Sequence, residues 1–294
     1  MLHRRPPFSR LMPFVVALFV MLLAGCAAKK VLVEAPETGV TLQYKMPEGQ
    51  TLKYDLSQEF IQGFEVQGRQ NEVKAYTTYA FSIESNGQKE GNHQLTFTID
   101  DMRVDIVSPQ GDISGNTESV IGKSFDMSLS PLGKETETRG LGGIKYELGP
   151  EGKRGIASNF EALFPNLSER PVKVGDSWTS VDTVSIRETD TSIQLTFENT
   201  NTVEGFETVE GFECARIASD VKGALSGTGK EGQAEFVMSG EVKGKDTWYF
   251  AYREGIYVKM ESEATVEGKI TVASAEGMVI PMSNTMSNKL TLVK

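Results

Sequence analysis

The sequence predicts a mainly β protein of curved antiparallel sheets, in one large domain or two similar lobes, with one short helix near 158–164. Three observations carry this expectation. Apolar residues recur at every second position in run after run, as in Leu95, Phe97 and Ile99, or Ala264, Val266, Gly268, Ile270 and Val272. Charged and hydroxyl residues take the places between them, so each strand has one dry and one wet face, as in an antiparallel sheet. The helical spacing that crossovers of a parallel sheet require is missing from all but one stretch.

Residues 41–157 read as an N-terminal β-rich lobe. Leu42, Tyr44 and Met46 alternate, Pro47-Glu48-Gly49 turns the chain, and Leu52, Tyr54 and Leu56 alternate again. That pattern predicts a hairpin around a type I turn. Tyr79, Phe81 and Ile83 share a face, and Asn86-Gly87 and Glu90-Gly91-Asn92 mark breaks before Leu95. Met102, Val104 and Ile106 then oppose Arg103 and Asp105 until Pro109-Gln110-Gly111 stops the strand. Ser158-Asn159-Phe160-Glu161 matches a capping box, and Phe160, Leu163 and Phe164 fall on one helical face until Pro165. Residues 158–178 are therefore expected to form a short helix and connector, and 179–294 a C-terminal β-rich lobe.

The N-terminus carries a different signal. Arg4, Arg5 and Arg10 precede an apolar run of 13 residues, Leu11 to Leu23, which ends in Leu23-Ala24-Gly25-Cys26. A basic region, an apolar region and a small-residue cleavage site make a secretory signal over residues 1–25. As a helix the run rises only about 20 Å, short of the ~30 Å hydrocarbon core. Leu23-Ala24-Gly25-Cys26 closely resembles the end of a bacterial lipoprotein precursor signal. The resemblance implies that a peptidase recognises Leu23, Ala24 and Gly25 and cuts before Cys26. It also implies that the Cys26 thiol carries a diacylglyceryl group and that the new amine is acylated. Ala27, where an aspartate would favour inner-membrane retention, implies transfer to the outer membrane of a two-membrane bacterium, at its periplasmic face. Residues 26–40 are then a lipidated tether, and the bilayer is a partner through Cys26.

Removing residues 1–25 moves the formal charge from −10 to −13. Such an acidic chain repels phosphate backbones, and it has no basic patch with interleaved aromatics, so nucleic acid is excluded as a partner. With Cys26 committed to lipid, Cys214 has no partner for a disulfide and reads as a buried structural thiol in a strand. Phe164-Pro165-Asn166-Leu167 before Val174-Gly175-Asp176-Ser177-Trp178 resembles a group of uncharacterised β-rich secreted bacterial lipoproteins. Gly122-Lys123-Ser124-Phe125 with Pro131-Leu132-Gly133 downstream fits the same group. That likeness implies no activity and no catalytic residue.

Several motifs imitate chemistry. Gly227-Thr228-Gly229-Lys230-Glu231-Gly232 has dinucleotide-loop spacing, but Ala234, Phe236 and Met238 predict a strand where the helix would have to begin. Gly122-Lys123-Ser124 resembles the end of a phosphate loop, but Thr117 stands where the first glycine is needed. Gly175-Asp176-Ser177 resembles a hydrolase nucleophile block, whose base would have to be His93, in a predicted turn. Asp100, Asp101 and Asp105 match no calcium-loop spacing. No catalytic residue, cofactor or metal is therefore expected. Three functions remain, in this order: a non-catalytic envelope module binding a protein or supporting the surface, a carrier of an apolar ligand such as a lipid, and an unfamiliar hydrolase.

Overall fold

A computed structural model describes residues 33, 36, 38–66, 69–149, 152–187, 190–231, 234–273 and 278–294. Leu23, Ala24, Gly25 and Cys26 lie outside the described residues. Leu32–Lys294 forms one compact unit that contains every described strand.

The first half supplies β1 (Thr51–Val66), β2 (Arg69–Lys89), β3 (Asn92–Val107), β4 (Ile113–Ser114), β5 (Ser124–Leu129) and β6 (Glu135–Arg139). The connector holds β7 (Lys145–Glu147) and β8 (Lys153–Gly155), which pair only with each other. The second half supplies β9 (Ser177–Arg187), β10 (Thr191–Val209), β11 (Phe212–Glu231), β12 (Ala234–Ala251), β13 (Ile256–Val272) and β14 (Met278–Val293). The other 12 strands form one open antiparallel sheet in the order β6-β5-β3-β2-β1-β14-β13-β12-β11-β10-β9, with β4 on β3. β1 and β14 pair over Lys53–Phe64, so residues 41–157 and 179–294 share a single sheet. Of one domain or two lobes, the sheet takes the first form.

Local chemistry sets the strand ends and phases. Glu90-Gly91 and Glu210-Gly211 both have positive φ at their two central residues, which closes the β2–β3 and β10–β11 hairpins as type I′ turns. Leu95, Phe97 and Ile99 share one strand with Met102 and Val104, because a bulge at Asp100 shifts the inward phase by one residue. Asn86-Gly87 is likewise a bulge inside β2, not the expected break.

Two expectations are corrected. Leu42, Tyr44 and Met46 do alternate into the core, but their segment forms no hairpin with β1. Its backbone bonds instead to Val172, Pro131 and Gly255, which lie outside the named strands. The turn at Glu48-Gly49 has φ +81° at Gly49, a type II and not a type I signature. The short helix is a single 3-10 turn, Ala157–Asn159. Ala162 takes φ +56°, and the Glu135 carboxylate receives the N–H groups of Ala162, Leu163 and Phe164, so the helix cannot continue.

The main core lies between the sheet and this connector. Phe81 stacks between Tyr54 and Phe97, and Phe97 stacks in turn on Phe125. Phe160 from the connector meets Tyr79, Phe81 and Phe125 edge-on at 5.2–5.3 Å, the T-shaped geometry that ring quadrupoles favour. A second apolar cluster, Leu195, Leu225, Val242, Val266 and Met282, occupies the other end of the long strands.

Candidate ligand cavity

The inner face of the sheet from β10 round to β2 is banded across the strands. Val203, Ile217, Trp248, Met260, Leu290, Leu56 and Tyr79 stand opposite one another in register and border the aromatic core. Two residues further along each strand comes a polar row. Asn201 faces Ser219, Ser219 faces Asp246, and Asp246 faces Ser262. Ser262 in turn faces Asn288, Asn288 faces Gln58, and Gln58 faces Thr77. The next row is apolar again on five strands, with Val221, Ala264, Met286, Phe60 and Ala75. Beyond it lies the second apolar cluster.

A cavity of about 560 Å³ opens between these bands, within the range of small-molecule sites. All seven residues of the polar row line it. Val184 and Ile186 of β9, Leu195 and Phe197 of β10, and the apolar row form its walls, while Asn159, Glu161 and Leu163 reach it from the connector. Glycines on the inner face let the strands crowd together here: a Cβ at Gly223 would strike the Thr196 carbonyl oxygen, and one at Gly268 the Ser239 carbonyl oxygen.

The polar row is partly self-satisfied. Ser219 Oγ donates to Asn201 Oδ1 at 2.6 Å and receives Trp248 Nε1 at 2.9 Å. Gln58 Nε2 donates to Asn288 Oδ1 at 3.3 Å, and the Asp246 carboxylate is bonded by Ser262. Burial pushes the Asp246 carboxyl up to about 6 despite that bond. On β9, Asp182 accepts from Asn166 Nδ2 at 2.6 Å and Asn199 Nδ2 at 3.0 Å, and burial raises its carboxyl too. The acids whose side chains face it are Glu161, Asp182 and Asp246, Glu59 turning to the other face of β1, and no lysine, arginine or histidine joins them among the described residues.

The motif segments singled out in the sequence brace one wall of this cavity. Trp178 Nε1 donates to the Asn166 carbonyl oxygen at 2.9 Å, and Leu167 N donates to Leu132 O at 2.8 Å. Gly133, with φ +91°, lies so close to the Pro165 carbonyl oxygen that a Cβ would collide with it. Phe-Pro-x-Leu, Pro-Leu-Gly and Val-Gly-Asp-x-Trp thus form one clasp that aims Asn166 at Asp182. Beside it, Glu135 holds three backbone N–H groups while burial pushes its carboxyl up to about 7.

The structure places the residues of each imitating motif. Ser177 starts β9 at one edge of the sheet and is exposed. His93 is not in a turn but buried in β3, with Nε2 at 3.1 Å from Tyr44 O and Nδ1 at 3.5 Å from Gln88 Nε2. No hydrogen bond joins Ser177 and His93 among the described residues. Gly227 and Gly229 lie in β11, Gly232 falls outside the described residues, and Ser124 begins a strand where a phosphate loop needs a helix. Asp100 and Asp105 receive Ser82 and Ser114 hydroxyls on the wet face, and Asp101 pairs with Arg103. No group of three or more metal-ligating side chains occurs among the described residues, and no described helix is long and apolar enough to cross a membrane. Cys214 is buried in β11, its thiol pushed up to about 12 by desolvation.

Sequence reasoning missed the polar row. The signal was present as polar residues at inward parity in the middle of apolar runs, as in Met260-x-Ser262-x-Ala264 and Val242-x-Gly244-x-Asp246-x-Trp248.

No protein-family model and no curated protein matches the chain. Among solved structures, a DUF1329 family protein from Desulfovibrio piger is similar, with 13% identity, a TM-score of 0.19, and coverage of 82% of this chain and 84% of that one. OccK11 (OpdR) of Pseudomonas aeruginosa shows 7% identity and a TM-score of 0.19, over 86% of this chain and 100% of that one. A loop-deletion mutant of OmpT, an outer membrane protein of Vibrio cholerae, shows 9% identity and a TM-score of 0.17, over 83% and 99% of the two chains.

Proposed function

We propose that this chain is a non-catalytic envelope lipoprotein, anchored through acyl chains on Cys26, whose sheet binds a lipid-like amphipathic ligand. The observation that carries the ligand is the cavity: an apolar inner face beyond a polar row, around about 560 Å³ of space. A sheet serving only as a filled scaffold would close such a face, because interiors pack to near-crystal density. The anchor and the export route rest on Leu23-Ala24-Gly25-Cys26.

The test is saturable binding of an apolar fluorophore, N-phenyl-1-naphthylamine, to the unit Leu32–Lys294. Ala264 lies in the apolar row on the cavity wall. One site per chain in the wild type, lost in Ala264→Trp with the fold intact, is the expected result. Unsaturable binding, or equal binding by the variant, contradicts the reading.

A further inference from the structure

The geometry points to the orientation and head chemistry of the ligand: we propose that an amphiphile lies with its head on the polar row and its tail along the apolar rows, and that the head donates hydrogen bonds and carries no negative charge. An alkylammonium is the best fit, an alcohol the next. The inference rests on the ligand-binding reading above and adds what the site selects.

Three observations support it. The polar row crosses seven strands in register, with an apolar row on one side and, on five strands, on the other, so an amphiphile's head fits on this row. The lining carries three inward carboxyl groups, Glu161, Asp182 and Asp246, with no basic side chain among the described residues to receive an anion. A carboxylate or phosphate head would meet those charges in a poorly solvated space, where repulsion is weakly screened. Finally, acceptor capacity is unevenly used. Asp182 already receives two amide donors, whereas among the described residues Asp246 receives the Ser262 hydroxyl alone. A carboxylate offers about four acceptor sites, so Asp246 has room for a ligand donor.

The experiment compares three ligands of one chain length, decylammonium, decanol and decanoate, by titration calorimetry on Leu32–Lys294 at pH 7.5. All are kept below their micelle concentrations. Decylammonium should bind at least about tenfold more tightly than decanoate, with decanol between them. Asp246→Asn should weaken decylammonium about tenfold. Equal affinities, tighter decanoate, or an unchanged decylammonium affinity in Asp246→Asn overturns the head-group inference while the cavity reading stands. No saturable binding by any of the three overturns both. The wild-type comparison decides without the variant, should Asp246→Asn fail to fold.

Discussion

The indole Nε1 of Trp178 donates a 2.9 Å hydrogen bond to the carbonyl oxygen of Asn166, whose side chain in turn holds Asp182 at 2.6 Å. Trp178 also meets Trp248 edge-on at 6.1 Å, so one residue ties the connector to β12. Trp178→Phe keeps a ring but leaves the Asn166 carbonyl without this donor. A loss of about 1–2 kcal/mol is expected, seen as a lower urea midpoint at unchanged slope. An unchanged midpoint would show that the clasp does not hold the wall.

Phe160 is the keystone of the aromatic core, buried on four neighbouring rings. Phe160→Ala should cost about 3–5 kcal/mol, since the rings around it are fixed in strands and collapse poorly. Thermal unfolding of the two proteins checks this. A loss below ~1 kcal/mol would mean that the connector is not part of the core.

Asp246 gives a pH signature. Its carboxyl is pushed from an ordinary value of 3.8 up to about 6 on folding. The folded state therefore holds the proton more tightly than the unfolded state, and stability falls as pH rises from about 4 to about 6. About two pKa units correspond to at most ~3 kcal/mol, less what residual solvent screens. Asp246→Asn should recover about 1–3 kcal/mol at pH 7.5 and nothing at pH 4, by urea unfolding at both values. An equal gain at the two pH values would assign the effect to packing.

Cys26→Ala removes the only side chain of Leu23-Ala24-Gly25-Cys26 that can take a thioether-linked lipid. The expected outcome is loss of metabolic palmitate labelling and retention of the uncut precursor on a gel. Normal labelling in the variant would contradict anchoring at this residue.

What was legible in the sequence was local. The alternation from Ala264 to Val272 appears unchanged in β13, because each side chain there needs only its own strand to choose a face. Leu42, Tyr44 and Met46 show the limit of that reasoning. Alternate burial needs an extended backbone but not a ladder, and Tyr44 N donates to Pro131 O in a loop. The short helix failed for a tertiary reason, since Glu135, from β6, takes the N–H groups that a further turn would have used. Glu161, expected to cap that helix, receives Ser185 N of β9 at 2.7 Å instead. The polar row was out of reach for a different cause. Asn201 and Thr77 belong to one band only through six strand pairings, and register between distant strands is not written in any one of them.

The most direct measurement is mass spectrometry of an organic extract from the natively purified full-length protein, beside its Ala264→Trp variant. A lipid attached to Cys26 would be covalent and stay with the chain, so the difference between the two extracts reports the cavity. A stoichiometric amphiphile with a cationic or hydroxylated head, present in the wild type and missing from the variant, is the predicted result. An extract without bound amphiphile, or the same amount from both proteins, would contradict the account.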